Sequence, residues 1–312
     1  MRLSAAVNGL LRRAILAAAH SPAIGRFVSR HGMRLGAARF VAGETLDQAV
    51  PVLRSLNERG LRTNTTLLGE DVRDRAATQT VVERYREILA RIAAEGLHTN
   101  VALKLTHLGL ALDEELAFEN ARRLLEEAAR HGNFIRIDME ESRHVDPTLR
   151  IYRRLREAGL ANVGVVLQSY LYRSESDLCD LLPLEPNVRL VKGAYLEPPD
   201  VAHPKKADVD AAYVRLLEIA LVEAGFTAVA THDERLIEHA IDVARREGIG
   251  DDRFELQMLY GVRPQLQLDL VRRGNRVLAA TPFGPDWYPY LMRRLAERPA
   301  NLGFFLRSVV RR

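Results

Sequence analysis

HTNVALKLTHLGLALDEELAFENARRLLEEAARHGNFIRIDME, residues 98–140, is the stretch that decides the fold. The apolar run VALKL is typical of a buried strand. In ENARRLLEEAARHG, apolar residues recur three and four positions apart, and the stretch ends at Gly132, so it predicts a helix with a glycine after its C-terminus. FIRIDME then predicts a second strand. A strand, a helix and a strand in this order indicate two parallel strands joined by a crossover helix.

The same alternation continues on both sides of this unit. Further helical patterns include TVVERYREILARIAAEG and the segment from Asp208 to Gly225. The predicted strands cover residues 61–69, 98–106, 133–140, 162–170, 187–193, 226–232, 254–259 and 275–284. Eight such strands, with helical patterns between them, predict an α/β fold, a (β/α)8 TIM-like barrel with preceding N-terminal helices. An open doubly wound sheet is less favoured, because no G-x-G-x-x-G follows the first strand.

Residues 1–60 lack the alternation and predict an N-terminal helical arm before a barrel of residues 61–312. Seven arginines precede Glu44, the first acidic residue. The stretch LLRRAILAAA has the pattern of a short amphipathic helix that contacts an anionic membrane surface. A transit peptide and a solvated helical arm fit the same residues. No apolar run of the sequence is long enough to span a bilayer. The single cysteine fits a reducing, cytoplasmic compartment, and a membrane-binding arm would place the protein peripherally on the inner face of the membrane.

The composition argues against several kinds of site. Cys179, the single cysteine, excludes a disulfide framework and a cysteine-based metal site, and SDLCDLL predicts it on the buried side of a helix. No two histidines have the i, i+4 spacing of a metal-binding helix, so no metal is predicted. The basic residues are not interleaved with aromatic residues, so no nucleic-acid partner is predicted. The sequence leaves the oligomeric state open.

Lysine is rare: only four of the 45 basic residues are lysines. Lys104 and Lys192 each close an apolar run, which predicts both at carboxyl ends of strands, where barrel enzymes carry their active sites. Other polar residues follow other strands, namely Asp138, Glu140, Glu141, Gln168, His232, Asp233 and Gln257. Together they predict a site at one mouth of the barrel. Because a lysine amine can form a Schiff base with a carbonyl substrate, an aldolase is one candidate.

Arg293 and Arg294 are adjacent in DWYPYLMRRLAERPANLGFF, which follows the last predicted strand. A guanidinium group binds a carboxylate through two parallel hydrogen bonds. With Lys104, these arginines predict a site for a small carboxylic acid or for an anionic cofactor. A solvated basic helix face is the alternative interpretation of the pair.

Seven motifs, in the order VALKL, IRIDMEES, VVLQSYL, RLVKGAY, ATHD, QMLYG and YLMRRLAERPAN, resemble the proline dehydrogenase family. The resemblance runs from about Arg62 to Asn301 and implies an FAD-dependent barrel enzyme of proline catabolism. It implies hydride transfer from L-proline, or a related cyclic amino acid, to flavin N5, which gives a pyrroline carboxylate. It also implies a membrane quinone as the electron acceptor. An inactive relative that binds flavin or a carboxylate as a sensor is a further alternative.

The resemblance implies roles for individual residues. Those that match the family's substrate site are Lys104, Asp138, Tyr195, Leu259, Arg293 and Arg294. Those that match its flavin site are Gln168, Arg189, Lys192, Gly193, Ala194, Thr231, His232, Gln257 and Glu297. Within the first set, the lysine and the two arginines match the cations that bind the substrate carboxylate. Within the second, Gly193 is expected to let the backbone approach the cofactor closely.

Three stretches depart from the family's pattern. Ala280 stands where the family usually has a tyrosine, which leaves room beside the substrate ring. Relatives that oxidise hydroxyproline also carry a small residue there, so we expect better acceptance of 4-hydroxyproline than in typical members. Asp233 replaces an asparagine and adds a charge near the expected polar tail of the flavin. The first-strand pattern T-L-D-L-L-G-E reads NTTLLGE at residues 64–70 and has lost its acid.

Overall fold

The computed structural model describes Met33, residues 36–69, Val72 and residues 74–297, without the side chains of residues 293 and 295–297. Its strands are β1 Arg62–Leu67, β2 Thr99–Leu103, β3 Ile135–Ile137, β4 Val163–Gln168, β5 Asn187–Val191, β6 Phe226–Ala230, β7 Phe254–Leu259 and β8 Val277–Phe283. All pair in parallel in chain order, and β8 closes on β1. The predicted barrel is confirmed.

Helices lie between the strands and cover the outside of the barrel. They are α1 Leu46–Glu58, α2 Arg75–Ala94, α3 Glu114–Arg130, α4 Val145–Glu157, α5 Ser174–Leu181, α6 Lys206–Glu223, α7 Glu234–Arg246, α8 Pro264–Arg272 and α9 Trp287–Glu297. Aspartates begin several of them: Asp113 accepts hydrogen bonds from the backbone N–H groups of Glu115 and Leu116 and so caps α3. The helix predicted before the barrel is α1. Most of the predicted arm lies outside the described residues.

Most strands are shorter than predicted. β3 is the extreme case, with three residues instead of the eight of 133–140, because the chain leaves the sheet at Asp138 to enter a loop at the mouth. β4 shows why the strands are nearly uniformly apolar. All six of its residues are buried, since one face packs on helices and the other lines the barrel interior.

Cys179 is exposed, so its predicted burial is wrong. The buried residues of α5 are Ser174, Asp177, Leu178 and Leu181, spaced three and four apart. Cys179 follows Leu178 directly and is therefore turned about 100° away from this face, as the helical period requires. The apolar neighbours that suggested burial belong to the face beside it.

The interior of the barrel carries charged side chains below the mouth. Arg136 on β3 is 2% exposed and donates hydrogen bonds to the backbone oxygen of Val165 at 3.2 Å and to that of Asn187 at 2.7 Å. Burial, and then the charge of Arg189, lower the pKa of Arg136 to about 9. Gly164 on β4 makes room for this guanidinium, because a Cβ there would overlap it.

The segment before α1 packs on the last helix. Phe40 and Val41 form an apolar cluster with Trp287 and Leu291 of α9. The indole Nε1 of Trp287 donates a hydrogen bond to Glu44 at 2.8 Å. These contacts fix the start of α9 beside the carboxyl ends of β8 and β1.

We expect Gly164→Ala to lower the free energy of unfolding by about 1–3 kcal/mol, the usual cost of overpacking an interior. The added Cβ displaces the Arg136 guanidinium from its backbone acceptors. Urea denaturation measures the effect. Gly159→Ala is the control, because nothing lies within 4 Å of its added Cβ and only its backbone, with φ of 84°, is strained. An effect of G164A no larger than that of G159A would show that Arg136 is not packed as described.

Candidate active site

A cavity of about 1250 Å³ opens at the carboxyl ends of the strands. Its floor consists of every second residue of the strands, for example Asn64 and Thr66 on β1 and Val166 and Gln168 on β4. This spacing follows from the alternation of side chains along a strand, which turns one set toward the barrel interior. Loops after the strands and helix α9 form its walls.

The cavity brings together almost all of the predicted site residues. The ones that line it are Lys104, Asp138, Gln168, Arg189, Lys192, Gly193, Ala194, Tyr195, Thr231, His232, Gln257, Leu259 and Arg294. Arg293 and Glu297 belong to α9, but their side chains lie outside the described part of the structure. Arg294 reaches the cavity from the same helix, with its guanidinium carbon 5.4 Å from the centroid of the Tyr290 ring.

Two acids that were predicted at the mouth do not line the cavity. Glu140 is 1% exposed, and its carboxylate accepts hydrogen bonds from the backbone N–H and the hydroxyl of Thr106. Its backbone oxygen accepts one from Gln168 at 3.0 Å. Glu141 precedes a short 3-10 helix instead. Both residues lie beyond the end of β3, where the alternation of a strand no longer determines the direction of a side chain.

Lys104 and Tyr195 meet across the cavity. The Lys104 ammonium donates a hydrogen bond to the Tyr195 hydroxyl at 2.8 Å and lies 5.6 Å from the centroid of the ring. Lys104 follows β2, whereas Tyr195 belongs to the loop after β5. The contact therefore joins opposite parts of the mouth, and both groups remain among those that line the cavity.

Two further contacts hold the loop that carries Tyr195. The Glu197 carboxylate accepts hydrogen bonds from the backbone N–H of Ser142 at 2.7 Å and from its hydroxyl at 2.6 Å. Gly193 has φ of 106°, and a Cβ there would overlap the ring of Tyr170. The space that this glycine leaves is thus filled by Tyr170, whereas the sequence had suggested only a close approach to the cofactor. Burial, and then the charge of Glu197, raise the pKa of Tyr170.

Arg189 is the central cation of the cavity floor. It donates hydrogen bonds to Asp138 at 2.8 Å and to Asn64 at 3.3 Å, and it is 8% exposed. Asp138, predicted as the acid beside Lys104, thus forms its ion pair with Arg189. The Nε of Arg189 and the Oε1 of Gln257 are buried without a hydrogen-bond partner in the described residues. A buried donor and a buried acceptor of this kind indicate a place for a ligand.

Lys192 lies between two acids at the other side of the cavity. Its ammonium donates to Asp210 at 2.6 Å and is 3.7 Å from Asp233. Burial opposes ionisation of Asp210, but the hydrogen bonds from Lys192 and Lys206 outweigh it and hold the pKa of Asp210 below the ordinary 3.8. A hydrogen bond from Arg235 lowers the pKa of Asp233. The sequence singled out Asp233 but not Asp210, which lies within α6.

His232 has a defined protonation state. Its Nε2 accepts a hydrogen bond from the backbone N–H of Leu259 at 2.9 Å. An imidazolium has no lone pair to accept this bond, so the ring is neutral and carries its proton on Nδ1. This hydrogen bond directly joins His232, predicted for the flavin site, to Leu259, predicted for the substrate site.

Sequence reasoning missed several residues of the cavity. Thr66, Val166, Val191 and Ala230 all line it. The interior alternation of the strands would have identified them, because each lies two residues from another interior position. Across the described residues, no group of histidine, cysteine, aspartate and glutamate side chains is suited to a metal ion. No described helix is long and apolar enough to cross a membrane.

Comparisons with known proteins identify the family of this chain. A family profile described as "Proline dehydrogenase" matches residues 49–307. The proline dehydrogenase of Deinococcus radiodurans is 42% identical over 309 residues, which cover 98% of this chain and 99% of the relative. Proline dehydrogenase 2 of Bacillus subtilis is 40% identical over 281 residues, or 90% of this chain and 92% of the relative.

Among solved structures, proline utilization A from Bdellovibrio bacteriovorus, inactivated by N-propargylglycine, superposes with a TM-score of 0.80 at 23% identity. The likeness covers 93% of this chain but 36% of that one, so the chain spans about a third of this structural relative. At this identity the likeness supports the barrel fold alone. The family profile and the relatives at about 40% identity extend over nearly the whole sequence, and the chain therefore belongs to the proline dehydrogenase family.

Proposed function

We propose that this protein oxidises L-proline to 1-pyrroline-5-carboxylate, with FAD as the acceptor of the hydride from C5 of the substrate. The observation that carries the proposal is the cavity at the barrel mouth, which joins the cations Lys104 and Arg294 to the polar floor around Arg189. Membership of the family supports the substrate, because the relatives of about 40% identity are named proline dehydrogenases.

The size and polarity of the cavity fit a large cofactor together with a small substrate. Its volume of about 1250 Å³ exceeds the roughly 300–1,000 Å³ of an ordinary small-molecule pocket. The unpartnered Nε of Arg189 and Oε1 of Gln257 match a ring system that has both hydrogen-bond acceptors and an N–H donor. When bound, FAD would supply the two-electron acceptor that no side chain provides.

The substrate carboxylate would bind at the side of the cavity that Lys104 and Arg294 line. Both side chains are cationic, and a carboxylate attracts the Lys104 ammonium more strongly than a neutral tyrosine hydroxyl does. Tyr195 would then remain beside the substrate and limit its movement, since its loop is fixed through Glu197. Such fixed cations orient a small anion at little entropic cost during the reaction.

A Schiff-base aldolase is disfavoured by the surroundings of Lys192. A nucleophilic lysine must present its nitrogen to the substrate, whereas the Lys192 nitrogen is held at 2.6 Å from Asp210 and 3.7 Å from Asp233. This arrangement fits a fixed cation at the edge of a flavin site better than a covalent catalyst.

A second candidate substrate is 4-hydroxyproline. Ala280 lines the cavity and pairs in register with Leu259, a residue predicted for the substrate pocket. A methyl group at this position leaves a space that a tyrosine ring would fill. A substituent on the substrate ring fits into such a space.

The proposed electron acceptor is a membrane quinone. Its support is the family resemblance together with the arginine-rich segment that precedes Glu44 in the sequence. A basic segment of this composition is attracted to the anionic inner face of a membrane. A cytoplasmic enzyme bound peripherally at this face would deliver electrons directly to the quinone.

The purified protein is expected to be yellow, with the visible absorption bands of an oxidised flavin. Addition of L-proline without oxygen bleaches these bands, and a soluble quinone restores them. Absorption spectroscopy measures each step. A colourless protein that borohydride links to a carbonyl substrate would support the aldolase, and a yellow protein that proline does not bleach would indicate an inactive sensor.

We expect Ala280→Tyr to lower kcat/KM for trans-4-hydroxy-L-proline at least about tenfold more than for L-proline, because the ring fills the space beside Leu259. Steady-state kinetics on both substrates give the ratio. Ala280→Ser is the control and should leave the ratio nearly unchanged. If the unmodified enzyme prefers L-proline by several orders of magnitude, the second candidate is wrong.

Asp210→Asn is expected to reduce stability at pH 7 by up to about 1 kcal/mol, since the pair with Lys192 is only partly buried. The pKa of Asp210 is lower in the folded state than the ordinary 3.8, so its stabilising effect is complete above that value and disappears as the pH falls through the folded pKa. Urea denaturation at several pH values measures the difference. Asp208→Asn, on the exposed surface of the same helix, is the control. A difference that persists in strong acid would exclude this charge pair as its cause.

A further inference from the structure

Glu255 and Gln257 occupy successive interior positions of β7. Both are buried, with exposed fractions of 5% and 3%. The Gln257 amide donates a hydrogen bond from Nε2 to Glu255 Oε1 at 2.6 Å. Only Gln257 reaches the cavity, and its Oε1 is buried without a partner in the described residues. Neither the sequence motifs nor the family resemblance gave Glu255 a role.

The Glu255 carboxylate lies in a positively charged part of the barrel. Its charge acts on Arg136 and on Arg276, in each case in the direction that favours the charged guanidinium. An ionised carboxylate has no proton to donate and only accepts hydrogen bonds.

This chemistry determines which end of the Gln257 amide faces Glu255. If the amide were reversed, its oxygen would lie 2.6 Å from a carboxylate oxygen and two acceptors would repel each other. The nitrogen must therefore face Glu255, and the oxygen is left for a ligand. The assignment of oxygen and nitrogen follows from the partner and does not depend on the shape of the amide.

We propose that Glu255 is a positioning residue that fixes the Gln257 amide so that its Oε1 accepts a hydrogen bond from an N–H group of the cofactor. This inference rests on the proposed FAD, whose isoalloxazine ring carries an imide N–H. The fixed amide discriminates by polarity: a ring that presents a donor at this point is bound, and a ring that presents an acceptor is repelled. Because the amide is already oriented, no side-chain reorganisation is needed when the cofactor binds.

Glu255→Gln tests the inference with little change of volume. The new amide can donate as well as accept, so it no longer dictates the orientation of Gln257. We expect the dissociation constant of FAD to rise about tenfold, the order of one buried hydrogen bond, and the visible spectrum and reduction potential of the bound flavin to shift. Ultrafiltration, absorption spectroscopy and potentiometric dye titration of the holoenzyme measure these changes.

The same substitution in a protein that lacks the Gln257 amide separates a positioning role of Glu255 from a general structural effect. Gln257→Leu removes the amide through which Glu255 is inferred to act. E255Q should therefore add nothing to the changes in FAD affinity and reduction potential that Q257L causes alone. Glu247→Gln, an exposed substitution on the outside of the barrel, is the control for loss of a carboxylate and should leave the flavin unchanged.

The possible failures are distinguishable. If E255Q leaves the FAD affinity and the potential unchanged, or shifts them equally with and without Gln257, the positioning role is wrong although FAD is bound. If E255Q does not fold, as thermal unfolding would reveal, Glu255→Asp replaces it and keeps a carboxylate that only accepts. The spectrum of flavin bound to E255D should then resemble that of wild type. If it departs from wild type as much as the spectrum of Q257L does, the inference is wrong. A wild-type protein that carries no flavin overturns the proposed function instead.

Discussion

A barrel that encloses charged side chains must give each of them hydrogen bonds or an opposite charge, because a buried charge without either costs several kcal/mol. Arg136, Arg189 and Asp138 impose this constraint inside the barrel. Arg189 is paired with Asp138, and Arg136 is held by backbone oxygen atoms of β4 and β5. These contacts satisfy most of the polar atoms on the floor of the cavity. Among those without a partner in the described residues are the Nε of Arg189 and the Oε1 of Gln257.

Those remaining atoms give the cavity floor its chemical character. The bonds of Arg189 to Asp138 and Asn64 orient its guanidinium, and the bond to Glu255 orients the amide of Gln257. Asn64 and Glu255 lie on strands, and Asp138 directly follows β3, so the orientation is set by the closed sheet and its immediate edge. A rigid sheet positions polar groups more accurately than mobile loops do, which suits the flat ring of the proposed cofactor.

The sequence predicted the barrel because parallel strands and their helices follow a local period. It predicted most of the cavity because the carboxyl ends of all eight strands meet at one mouth. The individual side-chain contacts could not be predicted from the sequence, since Arg189 and Asp138 are 51 positions apart and Lys192 and Asp210 are 18 apart. Local patterns contain no information about such pairs. For the same reason, Glu140 and Cys179 were assigned to the wrong surroundings, as their direction depends on where a strand ends or how a helix is turned.

The two lysines that stood out in the sequence differ in their partners, and the difference explains why neither position suits an arginine. Lys192 lies between Asp210 and Asp233, and its compact ammonium can contact one carboxylate while it stays close to the other. Lys104 has a neutral partner in Tyr195. A tyrosine hydroxyl is a neutral acceptor, so this contact itself places no negative charge beside Lys104. The rigid fork of a guanidinium would fix more hydrogen bonds in advance and would extend further into the space that the proposed substrate ring would occupy.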